Sequence, residues 1–198
     1  MPEYITLSKP TTSFLKEKNS KFYGFAYPVQ DKTEIDVILK GLKSEHTEAS
    51  HHCYAFSLGL NGSDYRYSDD GEPSNSAGSP IYRQILSSNA VNIFVVVVRY
   101  YGGKKLGVSG LIDAYGQAAK ECLLPEFLIT KRPKTWVHIR SKPNFGYKFY
   151  QLASQMKWEI YSAIEGDPDL FKVLIDDDNI QEVEKMLKEL QYFELSSL

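Results

Sequence analysis

The chain has 198 residues, a formal net charge of −2, and 42% hydrophobic and 24% charged residues. That is ordinary globular composition, long enough for one large or two small domains with a real core. It excludes a protein that coats nucleic acid through bulk charge alone. Cys53 and Cys122 lie outside any CxxC or Cys/His spacing, so neither a disulfide scaffold nor a zinc site is expected. The opening MPEYITLSKP has no basic-then-apolar signal pattern. The longest apolar run, residues 93–98, is far shorter than the roughly 20 residues of a membrane helix. A soluble, cytoplasmic protein with no metal or other cofactor is therefore expected.

In chain order, residues 4–7 and 21–28 read as strands. Ile35, Ile38, Leu39 and Leu42 predict a helix over 31–42. Residues 52–60 and 64–67 suggest a hairpin turning at Asn61-Gly62. Ser79 can cap a short helix with Pro80 in its first position. Residues 91–99 read as a central strand, buried on both faces by an unbroken β-branched run. Residues 111–124 predict a helix apolar nearly all round, and Gly116 within it suggests close backbone packing. Then EFLITKRPK, residues 126–134, reads as a basic, proline-containing boundary between domains 1–128 and 133–198.

Beyond it the order is strand, helix, strand, strand, helix, strand. Residues 135–140 alternate, and Phe145, Phe149, Leu152 and Met156 recur at helical spacing. Residues 158–164 and 170–175 read as strands joined through Gly166-Asp167-Pro168. Asn179 with Glu182 reads as a capping box for the last helix, before a strand at 192–195. This is the ferredoxin-like βαββαβ pattern, and it makes the whole an α+β protein. Charge divides the region too. Residues 127–158 carry Lys131, Arg132, Lys134, Arg140, Lys142, Lys148 and Lys157 with no acid, and eleven acids dominate the rest. If those acids fold to the other side, the six cations from Lys131 to Lys148 line one positive face suited to nucleic acid. The alternative is a solvated surface of uneven charge.

Three stretches could carry chemistry. Gly102-Gly103-Lys104-Lys105-Leu106-Gly107-Val108-Ser109-Gly110 follows a strand and precedes a helix, so its N–H groups, with Arg99, Lys104 and Lys105, could cradle an anion. It matches neither the Walker A pattern nor the dinucleotide fingerprint, and a tight glycine-dependent turn is the plainer reading. Asp69, Asp70 and Glu72 could hold Mg²⁺ or act as acid and base, or could simply form a polar turn. His51 and His52 alternate across a strand, so only one can face a given cleft. One of them is expected to converge with Asp69, Asp70, Glu72 and Arg99, with Arg99 paired to a carboxylate; Tyr100 and Tyr101 mark the rim.

Taken together, ASHHCYAF, SDDGEPSNSAGSPI and VVVVRYYGGKKLGVSGLIDAYGQAAKECL resemble the IMPACT (YigZ) family, whose signature spans residues 78–107. Tyr82, where the family usually has an aliphatic residue, and His52, where Asn is common, depart from it. The resemblance implies an S5 domain 2-like first domain and a ferredoxin-like second domain similar to domain V of elongation factor G. Eukaryotic relatives look like regulators of translation that compete for a ribosome-associated activator of a starvation-responsive kinase. They do so with an extra N-terminal interaction domain, so that partner is not carried over. The function expected is a non-enzymatic, translation-linked regulator binding RNA or a ribosome-associated protein. The alternatives are a small-molecule phosphotransferase using the glycine loop and a pure protein-interaction module. The ligand and the oligomeric state stay open.

Overall fold

The computed structural model describes residues 3–163 and 167–196. Two compact units divide between Lys131 and Arg132.

The first unit runs β1 (Tyr4–Leu7), β2 (Thr11–Glu17), β3 (Ser20–Pro28), α1 (Lys32–Glu45), β4 (His51–Leu58), β5 (Asp64–Ser68), α2 (Gly78–Ser88), β6 (Ile93–Tyr100), α3 (Gly107–Cys122) and β7 (Leu128–Lys131). Five strands form one antiparallel sheet in the order β2-β3-β6-β4-β5. β6 is central, and its alternation serves both faces. Val95 and Val97 join the core under α2 and α3, while Phe94, Val96 and Val98 join the core under α1. That double burial is why the run is apolar without interruption.

β2 was not foreseen. Its inward residues include Thr11 and Ser13, so no hydrophobic alternation shows. Their hydroxyls donate to the α3 carbonyls of Cys122 and Ala118, each at 2.7 Å. Close packing falls at Gly24 rather than Gly116. A Cβ on Gly24 would lie 2.3 Å from Ser13 Oγ and 2.8 Å from the Ala118 carbonyl, whereas on Gly116 it would make ordinary contacts. Nor does the chain from residue 126 act as a plain linker, because β7 pairs antiparallel with β1.

The second unit runs β8 (Lys134–Ser141), α4 (Gly146–Met156), β9 (Glu159–Ala163), β10 (Leu170–Asp176), α5 (Ile180–Leu190) and β11 (Phe193–Ser196). Its antiparallel sheet has the order β11-β8-β10-β9. Phe149 of α4 stacks on Phe171 of β10 with centroids 3.9 Å apart, in a core shared with Ile139, Val173 and Leu187. Asn179 precedes α5 but makes no side-chain cap, since a 3-10 turn over Asp177–Asn179 leads into the helix instead. Gly166, expected in the β9–β10 connection, lies outside the described residues.

Between β6 and α3 the chain turns sharply on three glycines. A Cβ on Gly102 would sit 2.1 Å from the Asn19 carbonyl carbon, because the loop lies against the β2–β3 turn. Gly103 (φ +80) and Gly107 (φ +77) are in the left-handed region with open space around them. Gly107→Ala should therefore cost about 1–2 kcal/mol, the left-handed penalty alone. Gly102→Ala should cost about 3 kcal/mol, since two backbones must separate. Both tryptophans lie in the second unit, so far-ultraviolet circular dichroism in urea is the measurement that reads the first. Equal stabilities of the two variants would contradict the steric account.

Candidate functional site

β4 and β6 place His51 directly opposite Arg99, so both side chains face α2 and α3. There the loop between β5 and α2 folds over the sheet. Arg99 Nη1 donates to Glu72 Oε1 at 2.5 Å, and the Tyr115 hydroxyl of α3 donates to the same oxygen at 2.8 Å. The Arg99 and Glu72 side chains are 5% and 4% exposed. Arg99 also reaches Ser20 Oγ at 3.4 Å and lies against the rings of Phe22 and Tyr101. Such a desolvated pair tolerates burial only because each charge has its partner.

The other two acids are fixed by backbone donors. Asp69 Oδ1 accepts from Ala77 and Gly78 N–H at 3.0 and 2.8 Å, and its Oδ2 accepts from Asn75 N–H. Asp69 is thus the cap of α2, a part expected of Ser79; the helix follows Ala77, whose side chain cannot cap. Gly78 permits this docking, as a Cβ would meet the Ser68 backbone at 2.7 Å. Asp70 Oδ2 accepts from His52 N–H at 2.6 Å, and Lys43 pairs with its other oxygen at 3.6 Å. His51 Nδ1 lies 2.8 Å from the Asp70 carbonyl, which can only accept, so Nδ1 carries the hydrogen. Nε2 then faces Glu72 Oε1 at 3.8 Å.

Burial raises the pKa of the Tyr115 phenol and of the Cys53 thiol, whose Sγ donates to the Asp69 carbonyl. Burial also pushes Cys122 up to about 11. All three stay protonated at neutral pH, so neither thiol is a ready nucleophile. His52 turns to the opposite face, and burial lowers its pKa against the pull of Asp70.

The structure thus gathers His51, Asp69, Asp70, Glu72 and Arg99, and holds Tyr101 beside Arg99. It separates Tyr100, which points to the α1 face and bonds His46 Nδ1 through its hydroxyl at 2.9 Å. Lys104 and Lys105 are exposed, and among the described residues neither has an ion-pair partner. Gly103 and Gly107 serve the turn, and Gly110 packs on Leu106 within the first turn of α3. Tyr115 escaped the sequence reading, although a phenol inside a buried Ala-rich helix needs a hydrogen-bond partner.

Several cations of the expected basic face have acidic partners among the described residues. Lys131 belongs to the first unit. Arg132 pairs with Glu3, Lys134 with Glu159 and Asp176, and Arg140 with Asp167 at 2.9 Å. The later acids therefore fold back onto these cations rather than away. Lys148 Nζ lies over Tyr192 at 4.0 Å, and Lys142 stays exposed.

The sequence model of the Impact N-terminal domain matches residues 18–123, which include every residue of this cluster. The chain belongs to the IMPACT family. It is 33% identical over 137 residues to IMPACT family member YigZ of Escherichia coli (strain K12), an alignment covering 68% of this chain and 67% of that protein. Alignments to three further bacterial members cover 55–61% of their lengths. A solved structure described as that of a hypothetical protein superposes with a TM-score of 0.78 at 27% identity, covering 100% of this chain and 98% of the other. The translational regulator Yih1, a two-domain protein, is 28% identical over 63% of this chain and 47% of its own, with a TM-score of 0.37.

Two outcomes follow from the cluster. Glu72→Ala leaves Arg99 buried and unpaired and should destabilise the first unit by about 3–5 kcal/mol, whereas Glu72→Met with Arg99→Met should recover much of that. Urea titrations of the wild type, both single variants and the double variant give the coupling, and additive losses would refute the pairing. His52 supplies a pH dependence. Its folded pKa lies below the unfolded value near 6.5, so its contribution is complete above about pH 6.5 and is lost as pH falls toward the folded pKa. His52→Asn should flatten the decline in melting temperature between about pH 7 and 5. An unchanged slope would place the acid sensitivity elsewhere.

Proposed function

We propose that this IMPACT-family chain is a non-enzymatic, translation-linked regulator of the cytoplasm, acting by binding nucleic acid or ribosome-associated components. The observation that carries the reading is the employment of the carboxylates. Asp69 caps a helix, Asp70 holds the start of β4, and Glu72 neutralises a buried arginine. Phosphoryl transfer needs carboxylates disposed around Mg²⁺. Among the described residues no three His, Cys, Asp or Glu side chains are grouped to hold a metal ion. The translation link is what the resemblance to the IMPACT family implies, since its eukaryotic relatives look like regulators of translation. We also read the β-α-β-β-α-β unit, whose sheet order is 4-1-3-2 in its own strands, as ferredoxin-like and similar to domain V of elongation factor G. The first unit we read as S5 domain 2-like. No helix among the described residues is long and apolar enough to cross a membrane.

The test is co-sedimentation with ribosomes. The protein should travel with ribosomal particles at low salt and leave them as salt rises. Absence from those fractions at every salt would remove the reading. ATP with Mg²⁺ should leave the melting temperature unchanged, while a magnesium-dependent rise would favour the phosphotransferase instead.

A further inference from the structure

On the α1 face of the first unit, α1 packs on β3 through Tyr23, Phe25 and Tyr27, while Phe14 of β2 stays exposed. Phe14, Tyr23 and Tyr100 form a continuous row across β2, β3 and β6, with ring centroids 5.0 and 5.8 Å apart. Phe14 is 52% exposed and Tyr101, at the end of β6, is 49% exposed. A cavity of about 410 Å³ opens beside them, lined by Asn19, Lys21, Tyr23, His46, Tyr100 and Tyr101.

Lysines surround this row. Lys16 and Lys21 are cross-strand partners, and Lys21 is opposite Tyr100 on its other side. Lys18 occupies the β2–β3 turn, and the Gly102 loop that carries Lys104 and Lys105 packs on that turn through a Gly102 N–H to Ser20 Oγ bond of 3.1 Å. All five lysines are exposed, and among the described residues none is in an ion pair. Glu17 lines the groove beside α3 on the other face, and Lys18 in the turn lines that groove too. Lys18 has φ +43 and Asn19 φ +71, a two-residue turn that Asn or Gly would make with less strain.

We propose that this face binds single-stranded RNA, bases stacking on Phe14 and Tyr101 while Lys16 and Lys21 contact phosphates. The proposal rests on the translation-linked reading and names its ligand and surface. Unpaired lysines interleaved with exposed rings on an open sheet suit a splayed single strand, whose bases all present a stacking face. An acidic protein would use the lysines but not the rings.

Fluorescence anisotropy of a labelled oligouridine about ten nucleotides long, within the usual site size, tests this with the full chain at several salt concentrations. Lys16→Gln with Lys21→Gln should weaken binding at low salt and flatten the log–log salt slope by about 0.7 per lysine. Phe14→Ser and Tyr101→Ala should each lower affinity roughly 5- to 100-fold without changing that slope. Lys18→Asn, in the groove on the other face, should leave binding unchanged. Loss with the lysine variants but none with the ring variants would overturn the stacking site in favour of an acidic protein partner. Binding abolished only by Lys142→Gln with Lys148→Gln would overturn it in favour of the second unit. No oligouridine binding by a protein that still co-sediments with ribosomes would overturn this inference alone.

Discussion

A guanidinium buried at the end of a central strand constrains much of the first unit. Arg99 emerges from six apolar residues onto a covered face, and an isolated charge there would be prohibitive. Glu72 must therefore be delivered to it, which brings the loop between β5 and α2 down over the sheet. Once that loop is down, Asp69 reaches the first N–H groups of α2, and Tyr115 ties α3 to the same carboxylate. One hexapeptide thus fastens two helices and the middle strand. The glycines at 78 and 102 belong to the same arrangement, because backbones meet where these pieces dock.

Charge in this protein sorts by solvent. Asp69, Glu72 and Arg99 look like chemistry in the sequence, yet their environment demands that each be satisfied, and satisfied groups make scaffold. Lys16, Lys18 and Lys21 look like ordinary surface. They retain their hydration, have no ion-pair partner among the described residues, and stand beside exposed rings. Affinity for another molecule resides more readily in such groups than in those already committed to the fold.

What could be read from the sequence follows the same division. Wherever periodicity was strong and apolar, as in β6, α1, α4 and β10, the elements sit where the pattern places them. β2 escaped because its inward side is hydroxyls bonded to α3, which mimic a polar loop. The cap of α2 escaped because it comes from nine residues upstream in another element, while Ser79, the local candidate, is already inside the helix. The basic stretch misled because a run in sequence is not a face in space. Asp176 of β10 and Asp167 in the turn before it reach Lys134 and Arg140. The contact of Gly102 with the β2–β3 turn was not legible either, since it joins segments more than eighty residues apart.

The pairing of β1 with β7 has a bearing on synthesis. Tyr4 stands opposite Lys131 and Leu7 opposite Leu128, so the two ends of the first unit are clasped together. As the chain leaves the ribosome, β1 emerges more than a hundred residues before its partner exists. The clasp closes only when translation has already entered the second unit. Its two ends being neighbours, the first unit can also take a following domain at Lys131 without threading chain across its own surface.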